Sequence, residues 1–155
     1  MQLSSRARYA VMAMVELAGR EAAGRSGSVS LAQIAASQQL SLDYLEQLFA
    51  ALRRAGLVRS ARGPGGGYWL SRPAREVTVT AIIDAVEKPR RATRCTGDAG
   101  CMRGADGRQV RCRTHDLWAE LGLQVRLFLS GVSLADVAEG RVAGRAALPG
   151  LVEGA

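Results

Sequence analysis

The feature that most constrains the fold is an amphipathic helix followed at once by a glycine-rich hairpin. Residues 41–55 place apolar side chains three and four positions apart, which predicts a helix with one core-facing side. Its predicted core positions are Leu42, Leu45, Leu48, Phe49 and Leu52. Ser41 is a predicted N-cap, and Gly56 is a predicted C-terminal stop. Residues 57–70 then read as two short strands joined by the run Arg62-Gly-Pro-Gly-Gly-Gly67, so a β-hairpin is predicted directly after the helix.

Further predicted helices surround this unit. Ser30-Leu-Ala-Gln33 matches a capping box and predicts a short helix, which a tight turn at residues 38–40 joins to the helix described above. Two short helices joined in this way, with a hairpin after the second, predict a winged helix-turn-helix. The other predicted helices cover residues 4–23, run from Thr78 through Val86 and from Thr114 to about Gly131, and open at Ser133. The predicted fold class is mainly α, with a small β-hairpin wing.

The charge distribution indicates a polyanionic partner. The 155-residue chain carries a formal net charge of +7, and residues 1–75 hold ten arginines against four acidic residues. No stretch reaches the roughly 18–20 uncharged apolar residues that a membrane span needs. Double-stranded DNA is therefore the expected partner, with neither a membrane nor a small-molecule substrate, and the expected compartment is the cytoplasm.

The predicted DNA-contacting surface combines the outer face of the second short helix with the wing. Gln47 can pair with adenine, and Glu46 can accept from the amino group of cytosine. Arg62 at a glycine-rich tip suits a narrow minor groove. The alternative is that these polar residues are only the solvated side of an amphipathic helix. The predicted DNA-contacting residues are Ser41, Asp43, Glu46, Gln47, Arg54, Arg62, Gly63, Gly65 and Gly66.

Three cysteines and the only histidine of the chain form a candidate metal site. The spacing is Cys95-x5-Cys101-x10-Cys112-x2-His115, a complete ligand set for an iron–sulfur cluster or zinc. No CxxC pair is present, which weakens the zinc interpretation. Residues 88–113 carry eight basic residues against two aspartates, and this field is expected to lower the thiol pKa values. Unliganded thiols and a thiol-dependent redox enzyme are the alternatives.

Several longer runs make a family resemblance specific. They are Arg8-Tyr9-Ala10-Val11, the run Ser41-Leu-Asp-Tyr-Leu-Glu-Gln-Leu-Phe49, Arg62-Gly-Pro-Gly-Gly-Gly-Tyr68, Ala92-Thr-Arg-Cys95 and Thr114-His-Asp-Leu-Trp118. From Met1 to about Glu139 the sequence resembles the IscR-type iron–sulfur cluster regulators, which are homodimeric winged-helix transcription factors of bacteria. The resemblance implies a DNA-binding regulator, not an enzyme, whose affinity for a double-stranded operator responds to the state of its cluster.

The resemblance also implies roles for individual residues. Cys95, Cys101 and Cys112 would be the thiolate ligands of a 2Fe–2S cluster, and His115 would be the fourth ligand. The outer face of the recognition helix would enter the major groove, and Arg62 would reach the minor groove. The helix that starts at Thr114 would cross its counterpart in a homodimer through Leu117, Leu121, Val125 and Phe128.

Four segments follow from these roles, and one of them departs from the family pattern. They are a winged helix-turn-helix domain at 1–87, a cluster-binding loop at 88–113, a dimerisation helix with a short C-terminal helix at 114–141, and a tail expected to be disordered at 142–155.

The spacing of the second and third cysteines departs from the family pattern. Ten residues lie between Cys101 and Cys112, compared with about five in the family, and longer loops close at small entropic cost. A 4Fe–4S cluster, or an oxygen ligand from Asp98 or Asp106, stays an open alternative.

Overall fold

The computed structural model describes residues 4–24, 27–63, 66–87, 95, 100–105 and 107–142. Its elements in chain order are α1 Ser5–Ala22, α2 Leu31–Gln38, α3 Leu42–Arg54, β1 Val58–Ala61, β2 Gly67–Leu70, α4 Val79–Val86, β3 Met102–Arg103, β4 Gln109–Val110, α5 His115–Ser130 and α6 Leu134–Ala138, with a 3-10 turn at Ala74–Glu76 before α4. The mainly α fold with one wing hairpin is confirmed. The disorder predicted for the tail concerns residues that, from 143 onward, lie outside this description.

Helix ends follow the capping chemistry that the sequence predicts. The hydroxyls of Ser41 and Thr78 accept backbone N–H groups at the starts of α3 and α4. Complete capping boxes open α2 at Ser30 and α6 at Ser133. Helix α3 stops at Gly56, whose φ of +71° needs no Cβ, while the N–H groups of residues 56 and 57 bond to carbonyls in its last turn. Local chemistry therefore determines these boundaries.

One hydrophobic core joins the helices to the base of the wing. Helix α1 contacts α2, α3, α4, α6 and β2, and so forms the platform of the domain. The fully buried core residues come from several elements and include Leu17, Ile34, Leu48, Phe49, Ile82 and Leu134. The wing pairs antiparallel, with Val58 opposite Leu70 and Arg59 opposite Trp69. Val58 and Leu70 are buried, so this face of the hairpin packs onto the core.

Two apolar stripes predicted from periodicity are placed differently. Leu42 is 41% exposed, because it lies in the first turn of α3 and the four apolar positions behind it already fill the core. In α1 the apolar spacing predicts a stripe of Tyr9, Val11, Met12, Val15 and Ala18. The buried residues are instead Ala7, Ala10, Ala13, Met14, Leu17 and Ala18, and Met12 is exposed. Apolar residues occur on two sides of α1, and the sequence does not show which side meets the core.

Polar contacts connect α4 to α5. Arg126 forms a two-pronged ion pair with Asp84, with N–O distances of 2.8 and 3.1 Å. The hydroxyls of Thr80 and Ser130 lie 3.1 Å apart. The described residues otherwise give helix α5 little support, because His115 is its one buried residue. No helix in the described ranges is both long and apolar enough to cross a membrane.

Candidate nucleic-acid interface and metal centre

Helix α3 exposes to solvent the residues that are predicted to contact DNA bases. Asp43, Glu46 and Gln47 are exposed, while Leu45, Leu48 and Phe49 on the opposite side are fully buried. Arg54 is exposed at the C-terminal end. Burial of one side keeps the helix from rotating about its axis, so the polar side has a defined direction. This is the arrangement that a recognition helix needs in a major groove.

The wing tip combines an exposed arginine with glycines that its turn requires. Arg62 is exposed, and the next residue, Gly63, has a φ of +101°. A Cβ on Gly66 would lie 2.5 Å from the carbonyl oxygen of Ala61, so a side chain there would break the turn. Gly65, another predicted contact, lies outside the described residues. The bare backbone at the tip allows close approach to a phosphate or a groove floor.

Two contacts that the sequence did not reveal orient the wing. The rings of Tyr68 and Phe49 meet edge to face, with centroids 4.9 Å apart, which joins the wing to α3. The carboxylate of Glu21 in α1 accepts the backbone N–H of Leu70 at 2.7 Å. Glu21 is 49 residues from Leu70 in the chain, and no local pattern indicates their pairing. Helix α3 and the wing are thus held together on one platform.

The predicted metal ligands converge on one point. The ligand atoms of Cys95, Cys101 and His115 all lie within 4.8 Å of one another. The Sγ of Cys112 lies 3.6 Å from the Sγ of Cys95, and His115 Nδ1 lies 3.4 Å from the Sγ of Cys101. Cys95 and His115 are buried. The four donors therefore form one compact group, and three thiols with one imidazole suit a thiophilic metal. Asp98 and Asp106 lie outside the described residues.

A small hairpin accounts for the long spacing between the second and third cysteines. Strands β3 and β4 pair antiparallel, with Met102 opposite Val110. The hairpin begins at Cys101, whose N–H bonds to the carbonyl of Val110 at 3.0 Å, and it ends next to Cys112. The N–H of Cys112 in turn donates to the Sγ of Cys101 at 3.2 Å. This pairing keeps the two cysteines adjacent although ten residues separate them in the sequence.

Local contacts shift the pKa values of two of the thiols, Cys95 and Cys101, in opposite directions. Burial, followed by hydrogen bonds with the neighbouring thiols, raises the pKa of Cys95 to about 12, so the predicted lowering is wrong for this residue. The backbone N–H of Cys112 lowers the pKa of Cys101. The Cys101 thiol is therefore more acidic than the Cys95 thiol.

Helix α5 carries an apolar surface that the described part of the chain leaves exposed. Leu117, Leu121 and Phe128 are 61%, 39% and 46% exposed, and Val125 between them is partly exposed. An apolar groove of about 340 Å³ continues this surface toward α1, lined in part by Met12, Ile83 and Phe128. So many exposed large apolar side chains on one helix indicate a protein-binding surface.

Comparison with known proteins identifies the family. The profile described as "Rrf2: Iron-dependent Transcriptional regulator" matches residues 3–140. The chain belongs to the Rrf2 family. A helix-turn-helix-type transcriptional regulator of Azotobacter vinelandii, ORF2, is 52% identical over 88% of this chain and 79% of its own length. The Serratia proteamaculans regulator IscR is 47% identical, with the same coverage of both chains.

A solved structure supports the same assignment. The T. potens IscR structure superposes with a TM-score of 0.70 at 34% identity, over 96% of this chain and 92% of that chain. This Rrf2 protein is therefore a DNA-binding transcriptional regulator with a winged-helix fold, and its relatives are regulators rather than enzymes. The family resemblance drawn from the sequence is confirmed.

Proposed function

We propose that this Rrf2 regulator is a cytoplasmic homodimer whose binding to a pseudo-palindromic operator is controlled by an iron–sulfur cluster. The observation that carries the proposal is the convergence of Cys95, Cys101, Cys112 and His115 from positions spread over 21 residues of chain. These residues would hold a 2Fe–2S cluster, which supplies a redox-active and iron-dependent centre when bound. The signal would be cluster status, redox state or nitric oxide.

The donor set fits this cluster. Each iron of a 2Fe–2S centre takes two protein ligands. The four donors lie close enough together to share one cluster, because the ligand atoms of Cys95, Cys101 and His115 are within 4.8 Å of one another and the Sγ of Cys112 is 3.6 Å from that of Cys95. A net basic segment offsets the negative charge that thiolate ligands bring. A 4Fe–4S cluster would draw on the same four residues.

The position of the metal site in the chain suggests how a bound cluster would affect DNA binding. The cysteine segment connects α4 to α5. Helix α4 packs on α1 and α3 of the winged helix-turn-helix domain, and α5 carries the exposed apolar surface. Ordering this segment would fix the distance between the two winged helix-turn-helix domains of a dimer. A fixed distance is needed because the two half-sites lie about 10 bp apart on one face of the DNA. Asp43, Glu46 and Gln47 would read the major groove, and Arg62 would enter the minor groove.

Zinc is a second candidate for the same site. Tetrahedral zinc with Zn–S bonds of about 2.3 Å places its ligand atoms about 3.8 Å apart. The mutual distances below 4.8 Å among Cys95, Cys101 and His115 approach that compact arrangement. A zinc-stabilised regulator would bind the same DNA without sensing iron or redox state.

Metal analysis of anaerobically purified protein separates the candidates. We expect about two irons and two sulfides per protomer and a visible absorption band, all lost in Cys95→Ala. Stoichiometric zinc without sulfide would instead establish the zinc regulator. Colourless, metal-free protein that binds its operator normally would contradict both proposals.

A further inference from the structure

The outer face of the wing carries an arginine stacked on a tryptophan. Arg59 of β1 and Trp69 of β2 are directly paired across the hairpin, and the Arg59 Cζ lies 5.8 Å from the centre of the Trp69 ring. Their neighbours Val58 and Leu70 turn inward to the core, so side-chain alternation points Arg59 and Trp69 outward. Arg59 is exposed, and Trp69 is half-buried. The pair therefore contributes little to the core and is available to a partner.

The electrostatic surroundings of this pair suit an anion. Arg53, Arg54 and Arg62 are also exposed and lie on the same hairpin or at the end of the preceding helix. Within the described part of the chain, none of these three or Arg59 forms an ion pair with a carboxylate. Arg53 is partly engaged, because it donates to the hydroxyl of Ser60 at 3.3 Å. Arg59 is exposed, and among the described residues its one side-chain contact of this kind is the stacking on Trp69.

We propose that Arg59, held by stacking on Trp69, is a second DNA contact of the wing and binds a backbone phosphate. This inference rests on the proposed placement of the wing tip in the minor groove. Arg59 lies three residues behind Arg62, which is about 10 Å along an extended strand. The minor groove is only about 6 Å wide, so a side chain that far behind the tip meets the phosphates bordering the groove.

Trp69 acts as a positioning residue in this arrangement. The aromatic face attracts the guanidinium through its quadrupole and restricts its rotamers, while the edge donors stay free for phosphate oxygens. The side-chain freedom of Arg59 is thus partly lost before DNA arrives, which strengthens the contact. The charge itself comes from Arg59 alone. The two side chains therefore have separable effects on the affinity and on its salt dependence.

The test measures DNA affinity across a range of salt concentrations. The probe is duplex DNA that the wild-type protein selects from a random pool, and each variant is first checked for wild-type thermal unfolding. Arg59→Ala is expected to weaken binding about tenfold and to make the slope of log K against log salt shallower by about 0.9, the loss of one phosphate. Arg75→Ala is the matched control, because Arg75 is equally charged, 75% exposed and paired with Glu76. It should change neither quantity.

Variants at position 69 test the positioning role. Trp69→Leu keeps an apolar side chain without a π face, and it is expected to weaken binding about threefold with little change in slope. Trp69→Phe should bind almost as tightly as wild type. In the Arg59→Ala background, Trp69→Leu should cause no further loss, because the partner it positions is gone.

Two results would overturn the inference. One is a salt slope for Arg59→Ala equal to that of Arg75→Ala, and the other is the same loss from Trp69→Leu with and without Arg59. Failure of the proposed function looks different, since the wild-type protein would then select no DNA site, or Arg62→Ala would bind as tightly as wild type.

Discussion

At the scale of single residues, Glu46 is the least expected member of a DNA-facing surface. It is an exposed carboxylate on α3, as is Asp43, whereas the exposed charged residues at the end of α3 and on the wing are arginines. A carboxylate close to phosphates is repelled unless a base donor, such as the cytosine amino group, meets it. Glu46 is therefore expected to increase discrimination between DNA sequences rather than the overall affinity for DNA.

The corresponding prediction concerns Glu46→Ala. The variant should lose about tenfold of its preference for cytosine at one operator position, while its affinity for unrelated DNA rises. Binding to the selected site and to singly substituted sites measures this. Glu139→Ala removes an exposed carboxylate next to α6 and should leave the preference intact. Unchanged discrimination in Glu46→Ala would remove the residue from the reading surface.

At the scale of secondary-structure elements, two glycines show how backbone conformation controls substitution. Gly56 ends α3 with a φ of +71°, whereas Gly19 lies inside α1, where an added Cβ meets nothing within 4 Å. Gly56→Ala should lower the free energy of unfolding by about 1 kcal/mol. Gly19→Ala should raise it by about 0.5–1 kcal/mol. Urea unfolding followed by circular dichroism measures both changes, and the same sign for both would contradict this account.

The β3–β4 hairpin offers a second test at this scale. A Cβ on Gly100 would lie 2.4 Å from the backbone of Gln109 and Val110, which cannot move without breaking the hairpin. Gly100→Ala should therefore separate Cys101 from Cys112 and reduce the metal content of the purified protein by more than half. The midpoint of thermal unfolding of the winged domain should change little. Gly19→Ala is the control, and full metal content in Gly100→Ala would show that the hairpin does not position these cysteines.

At the scale of the whole molecule, the proposed homodimer depends on the exposed apolar side of α5. Its apolar side chains are exposed, and polar contacts such as Asp84–Arg126 connect it to the domain. A second copy of the helix would bury those side chains and join two winged helix-turn-helix domains in one dimer. Homodimerisation is therefore the arrangement that the exposed surface favours.

Leu121→Arg tests the dimer. A charge in the centre of the apolar surface should produce a monomer in analytical ultracentrifugation, and it should weaken binding to the two-half-site operator by at least tenfold. Binding to a single half-site should change much less. Gln124→Arg adds the same charge to α5 at a polar position bonded to Glu120 and should stay dimeric. A dimeric Leu121→Arg protein would place the interface elsewhere.

Local chemistry explains why so much of the fold follows from the sequence. Hydroxyl caps, a glycine stop and the spacing of Leu45, Leu48 and Phe49 act within a few residues, so the sequence alone determined the helices, the wing and the outward direction of Glu46 and Gln47. Only the tertiary structure decided contacts between distant segments. It paired Glu21 with Leu70, and it folded the long cysteine spacing into a hairpin.

Some properties of the candidate metal site likewise follow from the sequence, and others follow only from the tertiary structure. Sequence determined which four side chains are present for a metal, because thiols and imidazole are chemically suited to it wherever they fall. Tertiary structure decided that they meet, that burial raises the pKa of Cys95, and that Leu42 stays in solvent. The physical reason is that burial and proximity depend on every element that packs nearby, whereas capping and periodicity depend only on neighbours along the chain.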